Sequence, residues 1–231
     1  MHWSGSSGNG LLDRIARFVP TLRESHSRLS VPAGTLLYGP GDSMPHLFFP
    51  AGGVLVTLVS EHRGDSAEAW STGREGVAPV FALLGVRRSP LILMQQVPGD
   101  LIRVPVAPLL RAMRERDNVR ALLQGYLAYS LRASSQATAC NALHSALSRT
   151  ARALLTTADR AHTDKFDLTQ AMLAGMLGTP RQTINVAMRE LVRRQLVRVR
   201  RGQVQLLNRL ALERVSCTCY SLMSGRHWEQ A

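Results

Sequence analysis

A single glycine between two amphipathic patterns does most to restrict how this chain can fold. In the stretch Leu168–Leu196, LTQAMLAGMLGTPRQTINVAMRELVRRQL, Leu168, Ala171, Met172 and Met176 recur at three- and four-residue steps before Gly178. Ile184, Ala187, Met188, Leu191 and Val192 do the same after it. Gly178 suits the left-handed conformation that ends a helix, Thr179 is a candidate cap for the next one, and Pro180 suits a first helical position. The expectation is helix, tight turn, helix, the geometry in which a second helix can enter a major groove.

Charge is concentrated around this stretch. The chain has 231 residues and a net charge of +12. Residues 1–147 hold 14 basic and 10 acidic side chains, whereas residues 148–231 hold 14 and 6. A local positive surplus attracts a polyanion, although the same surplus also serves solubility alone. Lys165 is the single lysine, so the cations are nearly all guanidinium groups, suited to bidentate phosphate and guanine contacts.

The rest of the chain divides by pattern. Residues 1–9 read as a disordered tail. Leu11, Leu12, Ile15 and Phe18 form a short helical stripe stopped by Pro20. From Leu29 to Val106 short apolar runs such as Thr35–Tyr38, His46–Phe49 and Val54–Ser60 alternate with turn sequences, which predicts an antiparallel sandwich or barrel. A hairpin tip is expected over Glu61–Ser66. From Leu109 to Ala161 there is no proline and one glycine, Gly125. A long helix is predicted from Val119 to Ser145, with Leu122, Leu123, Tyr126, Leu127, Ser130, Leu131, Ala137, Asn141, His144 and Leu147 near an apolar seam that reads as a dimer interface. Cys140 is expected at that seam. Asn141 and His144 read either as polar register markers there or as its solvated flank. A second helix over Arg149–Ala158 leads to the helix-turn-helix. Beyond it, Leu196–Val199 and Val204–Leu207 flank Arg200-Arg201-Gly202-Gln203, a basic hairpin that would make the unit winged. The fold class is therefore α+β: an antiparallel β sandwich or barrel (10–117), a dimerisation helix (118–146), a winged helix-turn-helix (147–214) and a C-terminal tail (215–231).

The segments GREGVAPVFALLG (73–85), QVPGDLIRVP (96–105), LTQAMLAGMLGTPRQTI (168–184) and RGQVQLLNRLALERVSCTCY (201–220) resemble the Crp/Fnr superfamily of bacterial transcription regulators, in the subgroup ending in Cys-x-Cys-Tyr. The resemblance implies a cytoplasmic, non-enzymatic homodimer whose β domain is a cyclic-nucleotide-binding-like antiparallel jelly roll, acting on a palindromic double-stranded operator, with RNA polymerase as a further partner. It places Arg181 at a guanine-reading position, Gln182 and Val186 at neighbouring base-facing positions, and Thr169, Gln170 and Thr183 at phosphate contacts. Thr179, Asn185, Arg189 and Arg201 complete the expected DNA-binding set, with Arg189 open between phosphate contact and plain exposure. A non-DNA cyclic-nucleotide-binding adaptor is the alternative reading. No Ser-His-Asp order, paired-carboxylate motif or P-loop points to catalysis.

No effector is legible. Arg88-Ser89 resembles a phosphate-holding pair, and Ser134-Ser135 falls near adenine-contacting positions, but Ala78-Pro79-Val80 stands where a ribose-binding acid would be. Arg88-Ser89 reads as a surface turn rather than a phosphate site, and Glu75 belongs to a Gly-x-Glu-Gly turn. The N-terminal cysteine cluster of iron–sulfur members is missing. His26, His46, His62 and His144 are ligand types that haem accepts, and nothing singles one out. Cys217 and Cys219 make half a metal site, with His227 as a third candidate ligand, or a redox or purely structural pair. No cofactor, metal or membrane contact is expected: the start MHWSGSSGNG lacks a signal-peptide core, and no run approaches the ~20 apolar residues of a membrane span.

Overall fold

The computed structural model describes residues 5–60 and 66–224. Helix α1 (Gly10–Phe18) is capped by Asn9, whose Oδ1 accepts from the Leu12 amide. Its side-chain amide also donates to the Pro50 and Gly76 carbonyls at 2.9 and 2.8 Å. The expected tail over 1–9 is thus corrected for its last residues. Ser7 and Asn9 are buried, because a bidentate amide tie to two distant carbonyls fixes the chain there.

After a short 3-10 turn at Pro20–Arg23 come β1 (Ser27–Val31), β2 (Leu36–Tyr38), β3 (His46–Pro50), β4 (Val54–Ser60) and β5 (Ser66–Thr72). The short helix α2 (Val80–Leu83) then leads to β6 (Ile92–Val97) and β7 (Gly99–Pro105). They form two antiparallel sheets, ordered β1-β7-β3 and β2-β6-β4-β5, as the alternation of short runs and turns predicts. The tip expected at Glu61–Ser66 lies outside the described residues except for Ser66. Leu47, Phe49, Leu55, Leu93, Leu101 and Ile102 fill the space between the sheets, each worth about 1.5–3 kcal/mol of burial.

Helix α3 (Val106–Glu115) hands over to the long α4 (Asp117–Leu143). Val119, Leu123, Tyr126, Tyr129, Ala133 and Cys140 of α4 face the chain's own core. That corrects the expected seam: Leu123, Tyr126 and Ser130 are buried within the chain, and Cys140 packs against Cys217. The aromatic rings need a deep partner, and the β domain supplies one. The opposite face exposes Leu131 and Leu143 and, at alternating steps of four and three, Ala121, Gly125, Ala128, Arg132, Ser135, Ala139 and Ala142.

The last unit comprises α5 (Ala146–Ala161), β8 (Lys165–Asp167), α6 (Gln170–Leu177), α7 (Arg181–Arg193), β9 (Val197–Arg200), β10 (Gln203–Leu206), α8 (Arg209–Val215) and α9 (Cys219–Met223). Its sheet runs β8-β10-β9. Leu154, Leu155, Leu173, Ile184, Leu191 and Leu212 make a second core, which also takes in Val54 and Val97 from the β domain. None of the described helices is long and apolar enough to cross a membrane.

Two glycines bring the units together. A Cβ on Gly73 would lie 2.4 Å from Arg160 Cβ, and one on Gly76 would lie 2.2 Å from the Tyr126 hydroxyl. The Gly-x-Glu-Gly turn therefore sits directly on α5 and α4, at a distance that no larger residue permits.

Candidate nucleic-acid interface

Gly178 ends α6 in the left-handed conformation (φ 52°), and its amide bonds to Gly175 O. Thr169 caps the start of α6, with Oγ1 accepting from the Met172 amide at 3.2 Å. The expected capping role of Thr179 is corrected. The N-cap of α7 is Pro180, with no side-chain cap bond, and the Thr179 hydroxyl accepts from Arg149 Nη2 at 2.9 Å while donating to Leu177 O. The buried guanidinium of Arg149 needs acceptors more than an exposed helix end needs a cap.

Ile184, Ala187, Met188 and Leu191 anchor α7 in the core. Spacing along a helix then fixes what is left outward. Arg181, Gln182, Thr183, Val186 and Arg189 are exposed and Asn185 is half-buried, with Val186 at 62%. Asn185 Oδ1 is shielded without a hydrogen-bond partner, while the Asn185 carbonyl accepts from Arg189 Nε at 3.4 Å. Glu190 takes Arg193 and Arg194 as partners at 2.7 and 2.6 Å, and these hydrogen bonds hold its carboxyl down to about 2. Among the described residues no carboxylate forms an ion pair with Arg181, Arg189, Arg198, Arg200 or Arg201.

The wing is a two-residue hairpin. Arg200 pairs with Gln203, and Arg201 (φ 48°) and Gly202 (φ 81°) form the loop, the pair of positive φ angles that matches strand twist. Gly202 O accepts from the Leu168 amide at 2.9 Å, which sets the wing tip beside Thr169 and the start of α6. Thr169, Gln170, Arg181 and Arg201 thus belong to one helix-turn-helix and wing unit.

The effector candidates are engaged within the chain. Arg88 Nη1 donates to Gly41 O at 2.8 Å, and Ser89 Oγ donates to Leu91 O at 2.6 Å, so this pair closes a turn against residues 39–42. Ser134 Oγ donates to Ala69 O and Ser135 Oγ to Leu131 O. Each hydroxyl is engaged with a backbone carbonyl.

A joint between the two units escaped sequence reasoning. Arg160 of α5 is 3% exposed. It bonds Glu75 at 3.2 Å, donates to Ser71 Oγ and lies 4.8 Å over the Trp70 ring. Burial opposes its charge, but Glu75, Tyr129 and Glu68 more than offset this and hold the guanidinium above its usual range. Burial pushes the nearby Glu68 carboxyl up. Met223 O accepts from Tyr129 at 3.1 Å, which ties the C-terminal α9 to α4. Tyr220 donates to Asp159 at 2.7 Å, and Arg209 contacts both. The Glu75 turn and the Tyr220 signature were visible as motifs, but the partner of Glu75 was not, because an arginine inside a helix carries no sequence mark of burial.

Comparison with known proteins fits this geometry. Residues 148–215 match the family described as Crp-like helix-turn-helix domain. No curated protein matches the chain in sequence. Among solved structures, FixK2 from Bradyrhizobium japonicum is 18% identical with a TM-score of 0.71, covering 84% of this chain and 98% of that one. A Crp/Fnr-family transcriptional regulator from Eubacterium rectale gives 17% identity and a TM-score of 0.69 over 91% and 99%. TTHB099, a Crp-family transcriptional regulator from Thermus thermophilus, gives 18% and 0.67 over 89% and 100%. Residues 148–215 are a Crp-like helix-turn-helix domain, carried in a chain with the fold of Crp/Fnr-type transcription regulators.

Proposed function

We propose that the chain is a homodimeric, sequence-specific regulator of transcription that reads a palindromic operator, works in the cytoplasm and catalyses no reaction. One observation carries this reading: the outward stripe of α7, together with the wing, presents arginines that no carboxylate among the described residues neutralises. Arg181, Gln182, Asn185 and Val186 read base edges. Arginine pairs with guanine, glutamine and asparagine with adenine, and valine packs on a thymine methyl. Thr169, Gln170, Thr183, Arg189 and Arg201 hold phosphates. Thr179, engaged with Arg149, positions the α6–α7 turn rather than touching DNA.

The small-residue heptad on the outer face of α4, from Ala121 to Ala142, supports pairing of two chains at close helix–helix distance. The two α7 helices would then lie about 34 Å apart, one turn of DNA. RNA polymerase is a further partner of the DNA-bound dimer. The effector has no assigned site: Arg88, Ser89, Ser134 and Ser135 are each engaged with a backbone carbonyl of the chain itself. The test is DNA selected in vitro by the full chain and titrated by fluorescence anisotropy at several salt concentrations. Arg181→Ala is expected to lose ~1–3 kcal/mol and relax preference at one base pair. Unchanged affinity and preference would remove Arg181 from base readout.

A further inference from the structure

The Cys-x-Cys tail does not stand alone. The ligand atoms of Cys140, His144, Cys217 and Cys219 all lie within 4.8 Å of one another. Cys140 and His144 are four residues apart at the C-terminal end of α4, so one helix face presents both. Cys217 lies in the segment that joins α8 to α9, and Cys219 begins α9. The Cys140 and Cys217 sulfurs are 3.4 Å apart, and Cys219 Sγ is 3.5 Å from His144 Nδ1. We infer that these four residues form a tetrahedral zinc(II) site of Cys3His type.

Three observations agree. The first is size. With Zn–S near 2.3 Å and Zn–N near 2.0–2.1 Å, tetrahedral ligands stand about 3.8 Å apart for two sulfurs and about 3.6 Å for sulfur and nitrogen. The separations of 3.4 and 3.5 Å lie within a few tenths of an ångström of these values and no pair exceeds 4.8 Å, so one ion is within reach of all four side chains, and the spacings are too short for a cluster in which each cysteine holds its own iron. The second is charge. Arg149 and Arg152 are 8% and 6% exposed and have no ion-pair partner among the described residues. Arg149 faces the Cys140 and Cys217 sulfurs, and Arg152 faces Cys140 and Glu68. Of the three buried arginines, Arg152 and Arg160 act on Glu68 and Arg160 pairs with Glu75, while Arg149 meets no carboxylate among the described residues. A zinc ion with three thiolates and a neutral imidazole carries one negative charge, which offsets the surplus cation. The third is support around the sulfurs: Gln136 Nε2 donates to Cys219 Sγ at 3.1 Å, the kind of outer hydrogen bond that orients a metal ligand.

The site has four protein ligands and no open position, so it is structural. It fastens the segment after α8 to the end of α4, across the α4–α5 junction at His144-Ser145. It involves no residue of the proposed DNA-reading surface, so the metal test and the DNA test can fail separately.

The full chain, purified under reductant and stripped with a chelator, would be titrated with cobalt(II) and then zinc(II). One cobalt per chain is expected, with the visible absorption of a tetrahedral site and near-ultraviolet thiolate-to-cobalt charge transfer, both erased by one equivalent of zinc. Cys140→Ser, Cys217→Ser, Cys219→Ser and His144→Ala should each weaken binding at least ~10-fold, with helical circular dichroism as the folding control. In the unsubstituted chain, zinc should shield all three cysteines from alkylation, a readout that needs no variant. A featureless or octahedral cobalt spectrum would overturn the inference. So would tetrahedral binding that survives Cys217→Ser/Cys219→Ser, or a Cys140–Cys217 disulfide that persists under reductant in place of metal uptake.

Discussion

Replacing Arg160 by methionine puts the joint between the β domain and the helix-turn-helix unit under direct test. Methionine keeps most of the side-chain volume and removes the charge. The guanidinium is 3% exposed and serves Glu75, Ser71 and the Trp70 face at once. Its loss takes the charge partner from Glu75 in a protein interior, where the Gly73 amide donates to it at 3.0 Å. Removing one partner of a buried ion pair costs about 3–5 kcal/mol, whereas replacing both with apolar groups is close to neutral. Arg160→Met should therefore be far worse than Arg160→Met/Glu75→Gln, and the double-mutant cycle should show strong coupling. The loss should also depend on pH. Burial already raises the Glu68 carboxyl, and Arg160 is one of the charges that counter this. A carboxyl with a raised pKa binds more protons folded than unfolded. Its contribution is therefore fully present below its unfolded value of 4.5 and is lost as pH rises through the folded value. The variant's deficit should grow from pH 5 to pH 8, by up to ~1.4 kcal/mol per pH unit for each extra proton held. Urea unfolding followed by tryptophan fluorescence, at fixed protein concentration because the chain is proposed to dimerise, reads the joint through Trp70. A deficit below about 1 kcal/mol, or one that is equal at pH 5 and pH 8, would refute the argument.

Two other substitutions probe separate contacts. Tyr220→Phe removes the hydroxyl that donates to Asp159 and accepts from Arg209. It should cost about 1.5 kcal/mol, the low end for a hydrogen bond to a charged group because the site is half-exposed. Burial and Asp159 hold the Tyr220 phenol up at about 12 against 10.0 unfolded. The unsubstituted chain should therefore lose stability above pH 10 more steeply than Tyr220→Phe in pH-dependent thermal melts. Ala128→Arg puts a large cation in the middle of the outer α4 stripe and touches nothing in the chain's own core. It should leave the monomer folded while shifting sedimentation from dimer to monomer, and an unchanged dimer would remove that stripe as the interface.

Much of the architecture follows from local rules that operate over a few residues. Gly178, the Arg201-Gly202 hairpin and the Val54–Ser60 strand lie where turn chemistry and alternation place them, because each depends only on neighbours in sequence. The winged unit was legible for the same reason, and so was the outward stripe of α7, since the buried positions Ile184, Ala187, Met188 and Leu191 fix its complement. Thr179 shows where local reasoning ends. A threonine before Pro-Arg is a good cap in isolation, but Arg149, thirty positions earlier, competes for the hydroxyl. The α4 seam failed differently. One apolar pattern had to serve two faces, and periodicity alone cannot divide side chains between the chain's own β domain and a second copy. Large residues such as Tyr126 went to the deeper partner, and small ones such as Gly125 and Ala128 were left outside.

The features that sequence hid share a physical cause, which is that they join segments far apart in the chain. Cys140 and Cys217 are 77 positions apart, and Glu75 and Arg160 are 85 apart. Each half looks incomplete by itself: two cysteines one residue apart, a lone glutamate in a glycine turn, an arginine within a helix. Both joints converge on α5 and on the tail that returns to it, where Met223 O meets Tyr129 and Arg160. Helix α5 is consequently packed on two sides, by the helix-turn-helix core and by β5. A reorientation of α7 relative to α4 cannot proceed by bending a free linker. It must break or carry along the Arg160–Glu75 contact and the cysteine–histidine cluster. A signal acting through either contact would move the proposed DNA-reading face, and substitutions there should change DNA affinity without touching a DNA-facing residue.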